Sequence, residues 1–184
     1  MNSKIIQPRK SIRLAGCDYS RRGYYFVTFA TRDLESLFGV CENGKVELSE
    51  YGRIAQEEWL KTAQIRPEVK LDAFVIMPNH IHGILAIGGN LPEGAVLRAD
   101  RELEQETEES QSGPKSGSIG AIIGQFKSVV SKRINALRGT PGEAVWHRNY
   151  YERIIRDEAG LERVRQYIIA NPKTWNEDKY HRGR

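Results

Sequence analysis

Leu71-Asp72-Ala73-Phe74-Val75-Ile76-Met77-Pro78-Asn79-His80-Ile81-His82-Gly83-Ile84-Leu85-Ala86-Ile87 is the stretch on which the fold turns. Two apolar runs flank the turn dipeptide Pro78-Asn79, so residues 71–77 and 80–87 are expected as successive strands. In the second run His80, His82, Ile84 and Ala86 alternate with Ile81, Gly83, Leu85 and Ile87. Both faces are largely apolar, and a strand covered on both sides belongs in the middle of a sheet.

Upstream, residues 24–31 are dense in aromatic and β-branched side chains and read as another buried strand. Residues 39–48 centre on Asn43-Gly44, the strongest short hairpin signal, because both turn positions need positive φ. Ser49 can cap a helix in which Tyr51, Ala55, Trp59 and Ala63 recur every four residues, and Pro67 ends that pattern. Downstream, residues 88–118 lose all periodicity and collect Gly, Pro, Ser, Glu and Gln, the composition of an exposed, flexible insert. Helical spacing resumes with Ile119, Ile122, Ile123, Phe126, Val130, Ile134 and Leu137 and stops at Gly139. Residues 145–155 read as a fourth strand. Asp157 caps a last helix with Leu161, Val164 and Ile168 inward, and Asn171-Pro172 closes it, since a residue before proline is biased out of helical angles. The order predicts an α+β fold, a ferredoxin-like βαββαβ sandwich with an added β-hairpin and an extra C-terminal helix. The expected organisation is a basic arm at 1–22, one domain at 23–176 interrupted by the acidic insert 88–118, and a basic tail at 177–184.

A chain of 184 residues with 39% apolar and 28% charged residues can bury a core without staples. No apolar run approaches the ~20 residues of a membrane span, and the polar, basic opening shows no signal-peptide pattern. Cys17 and Cys41 make neither a disulfide framework nor a zinc-type spacing. A cytoplasmic protein with no membrane partner is expected. The net charge of +4 is uneven: residues 93–112 hold seven acids against Arg98 and Arg101, a local −5, which leaves +9 on the remainder. A basic body with a basic arm favours a polyphosphate partner over an acidic one.

His80-Ile81-His82 carries the sharpest chemical signal. Side chains two apart on a strand share a face with Cβ atoms within ~7 Å, a workable bite for one metal ion. The plain alternative is two polar residues bonded to neighbouring carbonyls, but burying two imidazoles costs free energy unless something satisfies them. On the last helix Arg163, Tyr167 and Asn171 are spaced by four and share a ridge. Tyr167 borders the core stripe, where it can pack its ring inward and present its hydroxyl to a neighbouring site, or serve only as an amphipathic residue at a core edge.

Residues 75–83, Val-Ile-Met-Pro-Asn-His-Ile-His-Gly, resemble the His-hydrophobic-His signature of the single-tyrosine transposases of insertion sequences. Trp146-His147-Arg148-Asn149-Tyr150-Tyr151 and Gln166-Tyr167-Ile168-Ile169-Ala170-Asn171-Pro172 resemble the REP-associated tyrosine transposase branch, so that the likeness runs from about Tyr24 to Trp175 outside the insert. The resemblance implies a nuclease domain that cuts and rejoins single-stranded DNA near imperfect hairpins, through a covalent 5′-phosphotyrosine link and a free 3′-hydroxyl. It implies His80 and His82 as metal ligands, Tyr167 as nucleophile, Asn171 as third ligand, and Mg2+ or Mn2+ as the metal. Many relatives carry glutamine where this chain has Asn171. Imidazole pairs alone would favour zinc or nickel.

Contacts to DNA are expected from Arg9, Lys10 and Arg13 in the arm, from Lys127 and Lys132 on the long helix, and from Tyr150 and Tyr151 stacking on bases. Two rival readings stand beside the transferase: a domesticated relative that grips hairpins without cutting, and a plain metallohydrolase that uses water and needs no Tyr167. A monomer and a homodimer fit the sequence equally.

Overall fold

The computed structural model describes residues 22–88 and 116–181, and the arm residues Arg9, Lys10 and Arg13 and most of the acidic insert lie outside them. Strand β1 is Gly23–Ala30. Strands β2, Gly39–Glu42, and β3, Lys45–Leu48, form the expected hairpin, turning through Asn43 (φ 52°) and Gly44 (φ 72°). Helix α1, Glu50–Ile65, starts at Ser49, whose hydroxyl accepts from Gly52 N at 3.1 Å. Then come β4, Val69–Ile76, and β5, His80–Ile87; helix α2, Ile119–Arg138; β6, Tyr151–Ile155; and helix α3, Glu158–Ala170. Ser118, at the end of the expected insert, caps α2, and Gly139 closes that helix in the left-handed conformation.

The main sheet has the order β4-β5-β1-β6 and is antiparallel throughout. Setting the hairpin aside, this is the ferredoxin-like order, with the first and third strands central. Every residue of β5 is buried, as its two apolar faces require. Tyr25, Val27, Phe29, Ile81 and Leu85 point to the layer of α1 and α2, whose Trp59, Ile122, Phe126 and Val130 complete the larger core. Gly83 lets α1 lie close to β5, since a Cβ there would overlap the Trp59 indole. The opposite face carries Phe26 and Ile84 against Leu161, Val164 and Ile168 of α3. That second face also bears His80 and His82.

Two expectations need correction. The fourth strand does not begin at Val145: Trp146 makes one isolated bridge to Thr31, and ladder pairing starts only at Tyr151. The Trp146 ring is drawn toward Phe29, Phe38 and Phe126, and its N–H donates to Lys127 O at 3.0 Å. The bridge ends with His147 N donating to Ala30 O at 2.9 Å, and the chain then leaves the ladder across the exposed Arg148 and Asn149. Nor is Asn171 pushed out of helical angles: it lies at φ −53°, ψ −42°, and α3 runs directly into a 3-10 helix, Asn171–Glu177. The bias before proline is a preference, and burial of Asn171 and Trp175 outweighs it here. Pro172 falls in the first turn of the new helix, where its missing N–H costs nothing.

Candidate functional site

His80 and His82 sit two residues apart on β5, so their rings share the α3 face, and both are buried. Their Nδ1 atoms are tied by different neighbours. Asn79 donates through Nδ2 to Leu34 O (3.1 Å) and Tyr180 O (2.8 Å), which turns its Oδ1 toward His80 Nδ1 at 2.9 Å. His80 Nδ1 must therefore carry the proton, leaving Nε2 with a bare lone pair. The Thr28 hydroxyl, directly across the ladder on β1, meets His82 Nδ1 at 2.7 Å. The two Nε2 atoms converge to 3.1 Å, a spacing that needs a proton or a cation between them.

Burial pushes both imidazoles far down, to about 3, with Lys179's charge adding to the effect at His80 and His80's at His82. The nearby Asn171 amide opposes this at His80 and the Asp178 carboxylate opposes it at His82, without reversing either. Both rings are neutral at pH 7, the form that ligates a metal.

Helix α3 delivers the third component. Tyr167, 43% exposed, reaches under its helix so that its hydroxyl lies 3.1 Å from His82 Nε2. Phe26 supports the pair, stacked on His82 (centroids 5.5 Å) and edge-on to Tyr167 (6.1 Å). Burial, then the charges of Asp178 and Tyr180, raise the Tyr167 phenol above its ordinary value, and only a contact with Asn171 works the other way. The phenol therefore keeps its proton at neutral pH.

One turn beyond Tyr167, the Asn171 side chain is 1% exposed; its Nδ2 donates to Asp178 Oδ2 at 3.0 Å, and its Oδ1 has no hydrogen-bond partner among the described residues. A buried amide oxygen without a donor is costly unless something else meets it. Asp178 is the residue the sequence reading missed: a carboxylate oxygen of Asp178 and a ring nitrogen of each histidine lie within 4.8 Å of one another. It is held by Tyr180 N, which donates to Oδ1 at 2.7 Å. The Tyr180 ring covers His80 (centroids 4.5 Å), and Trp175 flanks the same imidazole at 5.9 Å. Residues 178–181, placed by sequence in a basic tail, thus form a wall of the site. Two neutral imidazoles, a carboxylate and an unpartnered amide oxygen suit one divalent cation.

The remaining sequence candidates separate. Tyr151 pairs with Thr28 on the ladder and so faces the site, 42% exposed. Tyr150 packs against the larger core and donates to Glu152 Oε2 at 2.8 Å. Lys127 and Lys132 lie on α2, across the sheet from the histidines. Lys127 donates to His147 O at 2.8 Å, and burial lowers its ammonium to about 8, so it binds a loop of its own chain; Lys132 is exposed.

No protein-family model matches the chain. An uncharacterised protein of Haemophilus influenzae is 35% identical over 176 residues, spanning 96% of this chain and 94% of the relative. A second protein of that organism, provisionally named a REP-associated tyrosine transposase, is 25% identical over 175 residues, spanning 90% of this chain and 84% of its own. Among solved structures, that of a REP-associated tyrosine transposase bound to a REP hairpin shares the fold, with a TM-score of 0.54 at 16% identity over 93% of this chain and 77% of that one.

Proposed function

The chain belongs to one family with the uncharacterised Haemophilus influenzae protein and carries the fold of the REP-associated tyrosine transposases; from that premise we propose that it is a transposase-type strand transferase that cleaves and rejoins single-stranded DNA near hairpins. The resemblance drawn from the three sequence motifs is borne out by these relatives. The observation that carries the mechanism is the convergence of Tyr167 Oη on His82 Nε2 at 3.1 Å, beside His80 and the unpartnered Asn171 oxygen.

In this reading His80, His82 and Asp178, with Asn171 Oδ1, would hold Mg2+ or Mn2+, which would supply charge neutralisation at the phosphate. The protein supplies position. Phe26 and His82 fix the Tyr167 ring, and α3 aims its oxygen into the pocket of the ligands. Tyr167 Oη forms a bond to phosphorus while the bond from phosphorus to the 3′-oxygen breaks. The phenol loses its proton and the departing 3′-oxygen gains one, leaving a 5′-phosphotyrosine and a 3′-hydroxyl. The covalent link keeps the phosphodiester energy for a second, rejoining transfer. Burial and the charges of Asp178 and Tyr180 raise the phenol above its ordinary value, and a divalent cation held by the neighbouring ligands would favour its ionised form.

The test is incubation with a library of single-stranded hairpins plus Mg2+ or Mn2+, scored for protein–DNA adducts that survive denaturation. Metal-dependent adducts are expected on hairpins with unpaired flanks. Cleavage that leaves no adduct would assign the site to a metallohydrolase, and tight hairpin binding without any cleavage would assign it to a binding protein.

A further inference from the structure

On β6 the side chains alternate across the sheet, and the register fixes which of them share a face with the site. Tyr151 pairs with Thr28, which in turn pairs with His82, so these three form one row across β6, β1 and β5. Strands lie ~4.8 Å apart, which puts Tyr151 about 10 Å from His82, within reach of a base next to the reacting phosphate. Arg153 pairs with Phe26 in the adjacent row. Tyr151 lies edge-on to Phe26 at 6.2 Å, and Phe26 touches both His82 and Tyr167, so an aromatic surface runs unbroken from the nucleophile to the sheet edge.

The charge on this strip is unspent. Arg66, Arg133, Arg138 and Arg165 each engage a carboxylate or amide oxygen. The Arg153 side chain is exposed and, among the described residues, makes no hydrogen bond or ion pair. Its sequence neighbour Glu152 faces the other side of the sheet, where Tyr150 donates to it. A free guanidinium beside an exposed aromatic ring, on a strand whose outer side pairs with no other strand among the described residues, fits alternating phosphates and bases.

We propose that the site face of β6 is the track for the unpaired DNA flanking the cleaved phosphate, with a base stacked on Tyr151 and a phosphate held by Arg153. The assignment rests on the nuclease reading above and adds the strand's path, which runs over β6 and not over Lys127 and Lys132 of α2.

The experiment measures binding of a fluorescent hairpin with single-stranded flanks, by anisotropy across a salt series, on a Tyr167→Phe background so that nothing is cut. Tyr151→Ala weakens binding roughly tenfold or more, and Tyr151→Trp restores it, because stacking needs a ring and not a hydroxyl. Arg153→Gln lowers the salt slope by about 1, whereas Lys61→Gln, which removes the same charge from α1, leaves it unchanged. A blunt hairpin without flanks shows neither effect. Thermal melting of each variant confirms that the edge strand still folds. Flanked DNA bound equally by all variants overturns this track while leaving the nuclease reading in place; failure of the parent to bind any hairpin overturns both.

Discussion

Asp72→Asn tests how the nucleophile helix is held. The register of β4 against β5 shifts between Leu71 and Phe74, a bulge at which Asp72 meets Arg165 of α3, two residues before Tyr167. The pair is bidentate, with Arg165 Nε to Oδ1 at 2.9 Å and Nη2 to Oδ2 at 2.7 Å, and Ala73 N also donates to Oδ1. A charged hydrogen bond in a buried setting contributes about 1.5–3 kcal/mol, and an exposed ion pair about 0–1 kcal/mol. The Asp72 and Arg165 side chains are 19% and 31% exposed, and Arg165 can fall back on Glu162 at 3.6 Å. An intermediate loss of about 1–2 kcal/mol follows, or a melting shift of about 2–8 °C for a chain of this size. The pH dependence has a definite sign. Burial alone would raise the Asp72 carboxyl, but the Arg165 bonds and charge and the Ala73 N–H outweigh it and hold it below its ordinary value. A carboxylate lowered by folding stabilises the native state above its unfolded pKa of ~3.9 and loses that contribution as pH falls through the folded value. Urea unfolding followed by circular dichroism should therefore show a gap between wild type and Asp72→Asn at pH 7 that closes toward pH 3. A gap that is the same at both pH values, or that is absent at pH 7, would refute the clamp.

Asp178→Asn and Asn171→Ala should each weaken Mn2+ binding by about tenfold or more, read by calorimetry, while Glu177→Gln on the same turn should not. Gly83→Ala should destabilise by about 1–3 kcal/mol in the same urea assay, because its methyl meets the Trp59 ring in a packed core. Tyr167→Phe should keep its melting temperature and hairpin affinity yet form no adduct, whereas Tyr150→Phe and Tyr151→Phe should form adducts normally.

The sheet was legible because its central strands are written in side chains that need burial on both faces, and because Asn43-Gly44 and Ser49 specify their turn and cap chemically. His80 and His82 were legible for the same reason, since strand alternation dictates a shared face. Tyr167 and Asn171 stood on one ridge, but only the packing of Leu161, Val164 and Ile168 on Phe26 and Ile84 sets that ridge over the histidines. Asp178 left no periodic signal: it follows a 3-10 helix, is held locally by Asn171 and Tyr180, and joins the site only by approaching His80 and His82 from a segment far away in sequence. The fourth strand was read too long because Val145 and Trp146 are core residues of the α1 and α2 layer, and burial was mistaken for ladder pairing. The Asp72–Arg165 clamp spans 93 residues and depends on a bulge that no local pattern announces.

In the proposed mechanism Tyr167 itself becomes bonded to DNA. The direct measurement is peptide mapping by mass spectrometry of adducts formed with a flanked single-stranded hairpin and Mg2+, after nuclease trimming to a short 5′-linked nucleotide. A nucleotide is expected on the peptide containing Tyr167 and on no other tyrosine peptide. A nucleotide on Tyr151, Tyr180 or any residue but Tyr167 would contradict that mechanism.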